Sequence, residues 1–93
     1  MRFEWNDKKN HLNLEKHGLD FNDAEFIFSS ETITFVDDRE EYGEERLITL
    51  GKLKNRVVVV VRTQRGAATR IISMRKANER EKKIYFKRLE KIR

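Results

Sequence analysis

Residues 47–76 read LITLGKLKNRVVVVVRTQRGAATRIISMRK. Leu47 to Leu50, Arg56 to Thr63 and Thr69 to Arg75 are strand-like segments, separated by turn-rich stretches at 51–55 and 64–68. These gaps are too short for crossover helices, so the stretch predicts an antiparallel meander. Upstream, Glu31 to Val36 alternates with Ile33 and Phe35 on one face, adding a fourth strand. Arg2 to Trp5 is a short candidate first strand, with Phe3 and Trp5 on one face. Asn6 or Asp7 suits the N-cap of a helix that runs to His17 and stops at Gly18. Asn22 or Asp23 suits the cap of a second helix through about Ser29, with Phe21, Ala24, Ile27 and Phe28 on its apolar side. Ala77 to Ile92 carries a narrow apolar seam of Ala77, Ile84, Tyr85, Leu89 and Ile92, which is expected to lie against the sheet. No repeat or linker interrupts the 93 residues. The expectation is one α+β domain: an antiparallel sheet of about four strands, two N-terminal helices and one C-terminal helix.

Charge is distributed unevenly along this framework. Residues 1–46 hold 6 Lys and Arg against 13 Asp and Glu, whereas residues 47–93 hold 15 against 3. No acidic side chain stands between Arg46 and Asn78, a stretch with eight cations from Lys52 to Lys76. An anionic partner is the natural counterpart of such a surface. The longest apolar run, Val57 to Val61, is far below the roughly 20 residues of a membrane span. The N-terminus is charged where a signal peptide needs an apolar stretch, which predicts a cytoplasmic location. Two histidines and no cysteine give no zinc-type ligand spacing, and four scattered glycines give no phosphate-cradling loop, so no cofactor is expected. The segment from Asp37 to Glu45 reads as a solvated acidic loop.

The remaining chemistry belongs to arginine. Alternation puts Arg56 and Arg62 on one strand face with Val58 and Val60, leaves Arg65 in the following turn, and turns Arg70 and Arg75 to opposite faces. Guanidinium groups match phosphate oxygens, and a cluster of them can stabilise the dianionic transition state of 2′-hydroxyl attack on an RNA phosphate. Groups available to move the proton are His17, His11, Tyr85, Glu81, Glu44 or a lysine. Lys9, Asn13 and His17 recur at helical spacing with Lys16 beside them, forming a ridge of nitrogen donors. Each has a structural alternative: His17 as a helix C-terminal cation, Arg70 and Arg75 as partners of Glu81 or Glu79, and the cations from Arg75 to Arg93 as a solvated helix face.

The order of residues carries a further signal. Phe3-Glu4-Trp5, Lys9, Asn13, Lys16-His17-Gly18, Phe21 and Ala24 precede Gly43-Glu44-x-Arg46, Gly51, the valine strand and Arg65. Arg70-Ile71-Ile72-Ser73-x-Arg75-Lys76-Ala77 and Glu81-x-x-x-Tyr85 follow. This order resembles the BrnT family of type II toxins across nearly the whole chain. The resemblance implies a RelE-like fold and a ribonuclease that arrests translation. It also implies a cognate BrnA-like antitoxin, through which the complex reaches operator DNA, in a toxin–antitoxin hetero-oligomer. Matched motif positions give His17, Glu44, Arg65, Arg70 and Arg75 as catalytic candidates, with Lys9, Lys16, Arg46 and Arg62 as RNA- or phosphate-binding candidates. Asn13 and Ser73 stand in the same motifs. The aspartate the family shows after Trp5 is Asn6 here, and its aromatic near the end of the central strand is Arg62. The alternative reading is a non-catalytic basic protein that binds nucleic acid or sequesters a regulator, which needs the arginines but not His17 or Glu44.

Overall fold

The computed structural model describes residues 1–92, so Arg93, the last cation of the C-terminal run, lies outside the described residues. One five-stranded sheet has the order β1-β5-β4-β3-β2, built from β1 (Arg2–Glu4), β2 (Ile33–Asp37), β3 (Arg46–Leu53), β4 (Arg56–Arg65) and β5 (Ala68–Lys76). Helix α1 spans Asp7–His17, α2 Ala24–Ser29 and α3 Glu79–Ile92. Strands β2 to β5 form the expected antiparallel meander, while β1 lies parallel to β5 through Arg2↔Ala68, Phe3↔Thr69 and Glu4↔Arg70. No helix among the described residues is long and apolar enough to cross a membrane.

Both hairpin turns are shorter than the turn-rich stretches suggest, and one falls away from its glycine. The β3–β4 hairpin closes on Lys54-Asn55, with Leu53 opposite Arg56 and Lys54 itself left-handed at φ 58°. Gly51 therefore lies inside β3, where a Cβ would stand 2.8 Å from Ile27 Cγ2 and 3.2 Å from the Ile27 carbonyl oxygen. Its role is close packing of α2 on the sheet rather than chain reversal. Arg65 is the last residue of β4, opposite Ala68, and not a turn residue; Gly66 at φ 59° makes the turn.

Helix ends follow side-chain chemistry. Asn6 Oδ1 accepts from the Lys9 amide at 3.0 Å, and α1 stops at left-handed Gly18. The second helical segment is capped earlier than expected: Asp20, not Asn22 or Asp23, accepts from the Asn22 amide at 2.9 Å and opens a 3-10 turn, Phe21–Asp23, that leads into α2. Helix α3 begins after Ala77, whose amide still pairs with the Val57 carbonyl. Asn78 caps it, donating its amide to Glu81 Oε1 at 2.9 Å while its Oδ1 accepts the Glu81 amide at 2.8 Å. This reciprocal capping box accounts for a carboxylate beside the apolar seam.

The sheet is buried on both faces. Leu19, Phe21, Ala24 and Ile27 pack with Leu53, Val58, Val60, Ile71 and Met74 on one side. Tyr85 and Leu89 of α3 pack with Ile33, Leu50, Val57 and Val59 on the other. Ile71 and Met74 share a face because β5 carries a bulge: Val61 pairs with Ser73 and Arg62 with Ile71, leaving Ile72 as an extra residue. The same bulge overturns the expectation that Arg70 and Arg75 face apart. Thr63 is opposite Arg70 and Val59 opposite Arg75, so both guanidiniums project from the α3 side. Beyond β1 the edge of β5 is closed by α1: buried Asn13 accepts from the Met74 amide at 3.1 Å and donates to the Leu19 carbonyl at 3.1 Å.

Candidate active site

Helix α3 covers one end of its sheet face and leaves the other open. On the open end the register carries a row of side chains across all five strands: Asp37, Arg46, Thr63, Arg70 and Glu4. Arg75 on one side of this row and Arg65 on the other belong to the same face. The structure thus brings together Arg46, Arg65, Arg70 and Arg75 from three adjacent strands.

Most of these cations are held by carboxylates. Arg70 Nη1 donates to Glu4 Oε2 at 2.7 Å. Arg75 donates through both Nη1 and Nη2 to Glu81, each at 2.7 Å. Arg65 Nη2 meets Glu44 Oε1 at a looser 3.4 Å. Hydrogen bonds from Arg75 hold the Glu81 carboxyl below the usual range, aided by the Asn78 amide, and the same pair raises Arg75. Forked pairing fixes the guanidinium plane and lowers the cost of gathering like charges.

Arg46 differs. Its guanidinium carbon stands 4.0 Å over the Tyr42 ring, and its Nε is buried with no hydrogen-bond partner among the described residues. A buried donor without an acceptor costs about 1–3 kcal/mol. Arg46 thus combines a fixed charge with unused donor capacity, between Asp37 and Thr63 in the row.

Two contributors were not legible as site residues in the sequence. Asp37 is buried at the end of β2 rather than part of a solvated loop. Arg39 Nε and Nη2 donate to its two oxygens at 2.7 and 2.8 Å, and Tyr42 Oη donates at 3.3 Å. Bonding from Arg39 brings the Asp37 carboxyl down to about 2. Arg39 also lies near enough to Arg75 and Glu81 to act on both electrostatically. Period-two spacing of Asp37 and Arg39 was the available signal, because residues two apart in extended chain share a side.

The other candidates stand apart. His17 lines a shallow depression of about 250 Å³ at the β5 edge with Lys9, Leu12, Asn13, Lys16, Ile72 and Ser73. Through Ser73, on the arginine face by its pairing with Val61, this depression adjoins the row. No hydrogen bond or ion pair joins His17, Lys9 or Lys16 side chains to the arginines among the described residues, and His11 instead meets Glu15 at 3.2 Å. Arg62 lies on the opposite sheet face, 5.1 Å over the Phe28 ring and donating from Nε to Thr49 Oγ1 at 3.0 Å. Burial pulls its pKa down. Its position is that of a packing residue. Tyr85 is buried and donates to the Glu31 carbonyl.

Chemically, the open face offers a plane of fixed guanidiniums, one with an unsatisfied donor, beside a carboxylate at its margin. Guanidinium groups in such an arrangement match the charge and geometry of phosphate oxygens. In comparison with known proteins, residues 5–81 match the family described as ribonuclease toxin, BrnT, of type II toxin–antitoxin system. A search of curated proteins finds no match. The matched segment contains every residue of the row but Glu4, together with the Arg75–Glu81 pair and the His17 depression, and covers most of the chain. The chain belongs to the BrnT family of ribonuclease toxins of type II toxin–antitoxin systems, with RNA as target and an antitoxin as partner.

Proposed function

We propose that the open arginine face is the catalytic surface of an endoribonuclease that cleaves RNA by 2′-hydroxyl attack without a metal ion and so arrests translation. The observation that carries this reading is the convergence of Arg46, Arg65, Arg70 and Arg75 on one face, with the unsatisfied Arg46 Nε among them. Arg70 and Arg75 take the non-bridging oxygens of the scissile phosphate, displacing Glu4 from Arg70 Nη1 and Glu81 from the Arg75 fork. Arg46 and Arg65 add charge stabilisation as the phosphorane forms. Lys9 and Lys16, along the β5 edge, receive the RNA backbone.

The proton from the 2′-hydroxyl passes to Glu44 or His17 as the oxygen bonds to phosphorus. The bond to the 5′-oxygen then breaks and that oxygen takes up a proton. The products are a 2′,3′-cyclic phosphate and a 5′-hydroxyl. Glu44 is the carboxylate already on the arginine face, and His17 is at its margin. Neutralisation in the cell falls to a BrnA-like antitoxin in a hetero-oligomer.

Replacing Arg70 or Arg75 by Gln tests the assignment. Cleavage by purified, antitoxin-free protein should fall about 10²-fold or more, with circular dichroism and antitoxin binding retained. Fully active, folded variants contradict the site. His17→Ala separates proton transfer from helix capping: lost cleavage at unchanged Tm supports the former, lowered Tm with retained cleavage the latter.

A further inference from the structure

Away from the arginine row, α3 and the β3–β4 hairpin frame a second surface. Two concavities of about 220 and 550 Å³ meet along α3, sharing Lys82 and Phe86. The first is floored by Val57 and Ala77 and walled by Asn55, Arg56 and Lys76. Phe86 is 45% exposed. It is not loose, because its ring packs edge-on against buried Tyr85 at 5.3 Å between centroids, with Lys52 Nζ 5.2 Å from its own centroid. The rim is cationic: Lys52, Arg56, Lys76, Lys82, Lys83 and Lys87 stand against Glu79 and Glu90, and Glu79 is paired with Lys82 at 3.1 Å.

We infer that this groove is a docking site for the antitoxin, receiving an acidic segment that places an apolar side chain against Phe86. The inference rests on the toxin–antitoxin reading above and adds the surface and the chemistry of the partner. Charge complementarity sets the sign: six cations around a fixed aromatic and an apolar floor match carboxylates flanking an apolar anchor. RNA is the poorer occupant. Five of the six rim cations are lysines, point charges without the planar fork that phosphate recognition uses, and the floor offers a base no hydrogen-bond partner. From Arg56 to Thr63 along β4 is roughly 23 Å at about 3.3 Å per residue, so a segment anchored here sits clear of Arg46 and Arg70, and Arg75, opposite Val59 and next to Lys76 of the rim, is the part of the arginine face nearest to it. About seven further extended residues of the same partner would reach Arg46 and Arg70.

The test uses full-length toxin and its cognate antitoxin, both purified, titrated calorimetrically at two salt concentrations. Phe86→Ala is expected to weaken binding about 30-fold or more, the usual effect of truncating a central aromatic anchor. Lys82→Glu with Lys87→Glu is expected to weaken it further at low salt and to flatten its salt dependence. Both variants lie on an exposed helix face and should keep the parent's melting curve and RNA cleavage. Unchanged antitoxin affinity in both, while the parent cleaves RNA and binds antitoxin, overturns the docking site and leaves the family reading intact. Lost RNA binding with unchanged antitoxin affinity also overturns it, in favour of a nucleic-acid surface. A parent that neither cleaves nor binds overturns this inference and the reading beneath it together.

Discussion

Arg75 and Glu81 are joined by two hydrogen bonds of 2.7 Å, and the same Glu81 closes the capping box that starts α3. One carboxylate therefore starts a helix and occupies the fork proposed for phosphate. In Glu81→Gln the amide can keep the capping contact but gives up the charge. RNA affinity should rise several-fold, with a steeper salt dependence by somewhat under one unit on a log–log plot, and Tm should fall by a few degrees. Filter binding across a salt series checks this; unchanged or weaker RNA binding means Glu81 does not compete with phosphate.

Arg46→Met should separate function from stability. The substitution removes a buried donor that has no acceptor and forfeits the stack on Tyr42, two effects of about 1 kcal/mol and opposite sign. Urea unfolding should give a stability within about 1 kcal/mol of the parent, while RNA cleavage falls at least tenfold. A large stability loss with intact cleavage assigns Arg46 to the fold instead.

Stability should fall in acid. Asp37 is held at about 2, chiefly by Arg39, while Glu81 is lowered by Arg75 and Asp20 by Asn22. A carboxylate depressed in the folded state contributes stability above its unfolded pKa, near 4, and loses it as pH falls through the folded value. Melting temperature should be flat from about pH 7 to 5 and decline from about 4 towards 2. Asp37→Asn should lower Tm at neutral pH and make the acid decline shallower; an identical acid profile removes Asp37 from the account.

Asn13→Ala leaves the Met74 amide and the Leu19 carbonyl without their partner on a buried edge. A loss of about 2–4 kcal/mol is expected. Hydrogen exchange should accelerate at the Met74 amide first, since β1 pairs only with the other end of β5. Retained protection there contradicts α1 as the closure of that edge.

Much of this architecture was legible because alternation and turn spacing are local. The meander followed from Leu47 to Arg75, and the caps at Asn6 and Gly18 from their residue types. The arginine face was not legible. Arg70 and Arg75 are an odd number of residues apart, so strict alternation separates them; the bulge at Ile72 restores their phase without a glycine to announce it. Conversely, alternation correctly set Arg62 with Val58 and Val60, but only the sheet order shows that this face is sealed by α2 and Phe28. The acidic loop misled for a different reason: composition suggests solvent, whereas Asp37 takes its place from pairing with Arg39 and register with Arg46.

Guanidiniums, with no metal ion, are proposed to stabilise the transition state at the open face. The most direct test is single-turnover cleavage of end-labelled RNA by antitoxin-free protein in excess EDTA, with product termini identified and Arg70→Gln run in parallel. Expected are unimpaired cleavage by the parent, 2′,3′-cyclic phosphate and 5′-hydroxyl ends, and a loss of about 10²-fold or more in the variant. Cleavage abolished by chelation and restored by a divalent ion, or an Arg70→Gln protein as fast as the parent, would contradict it.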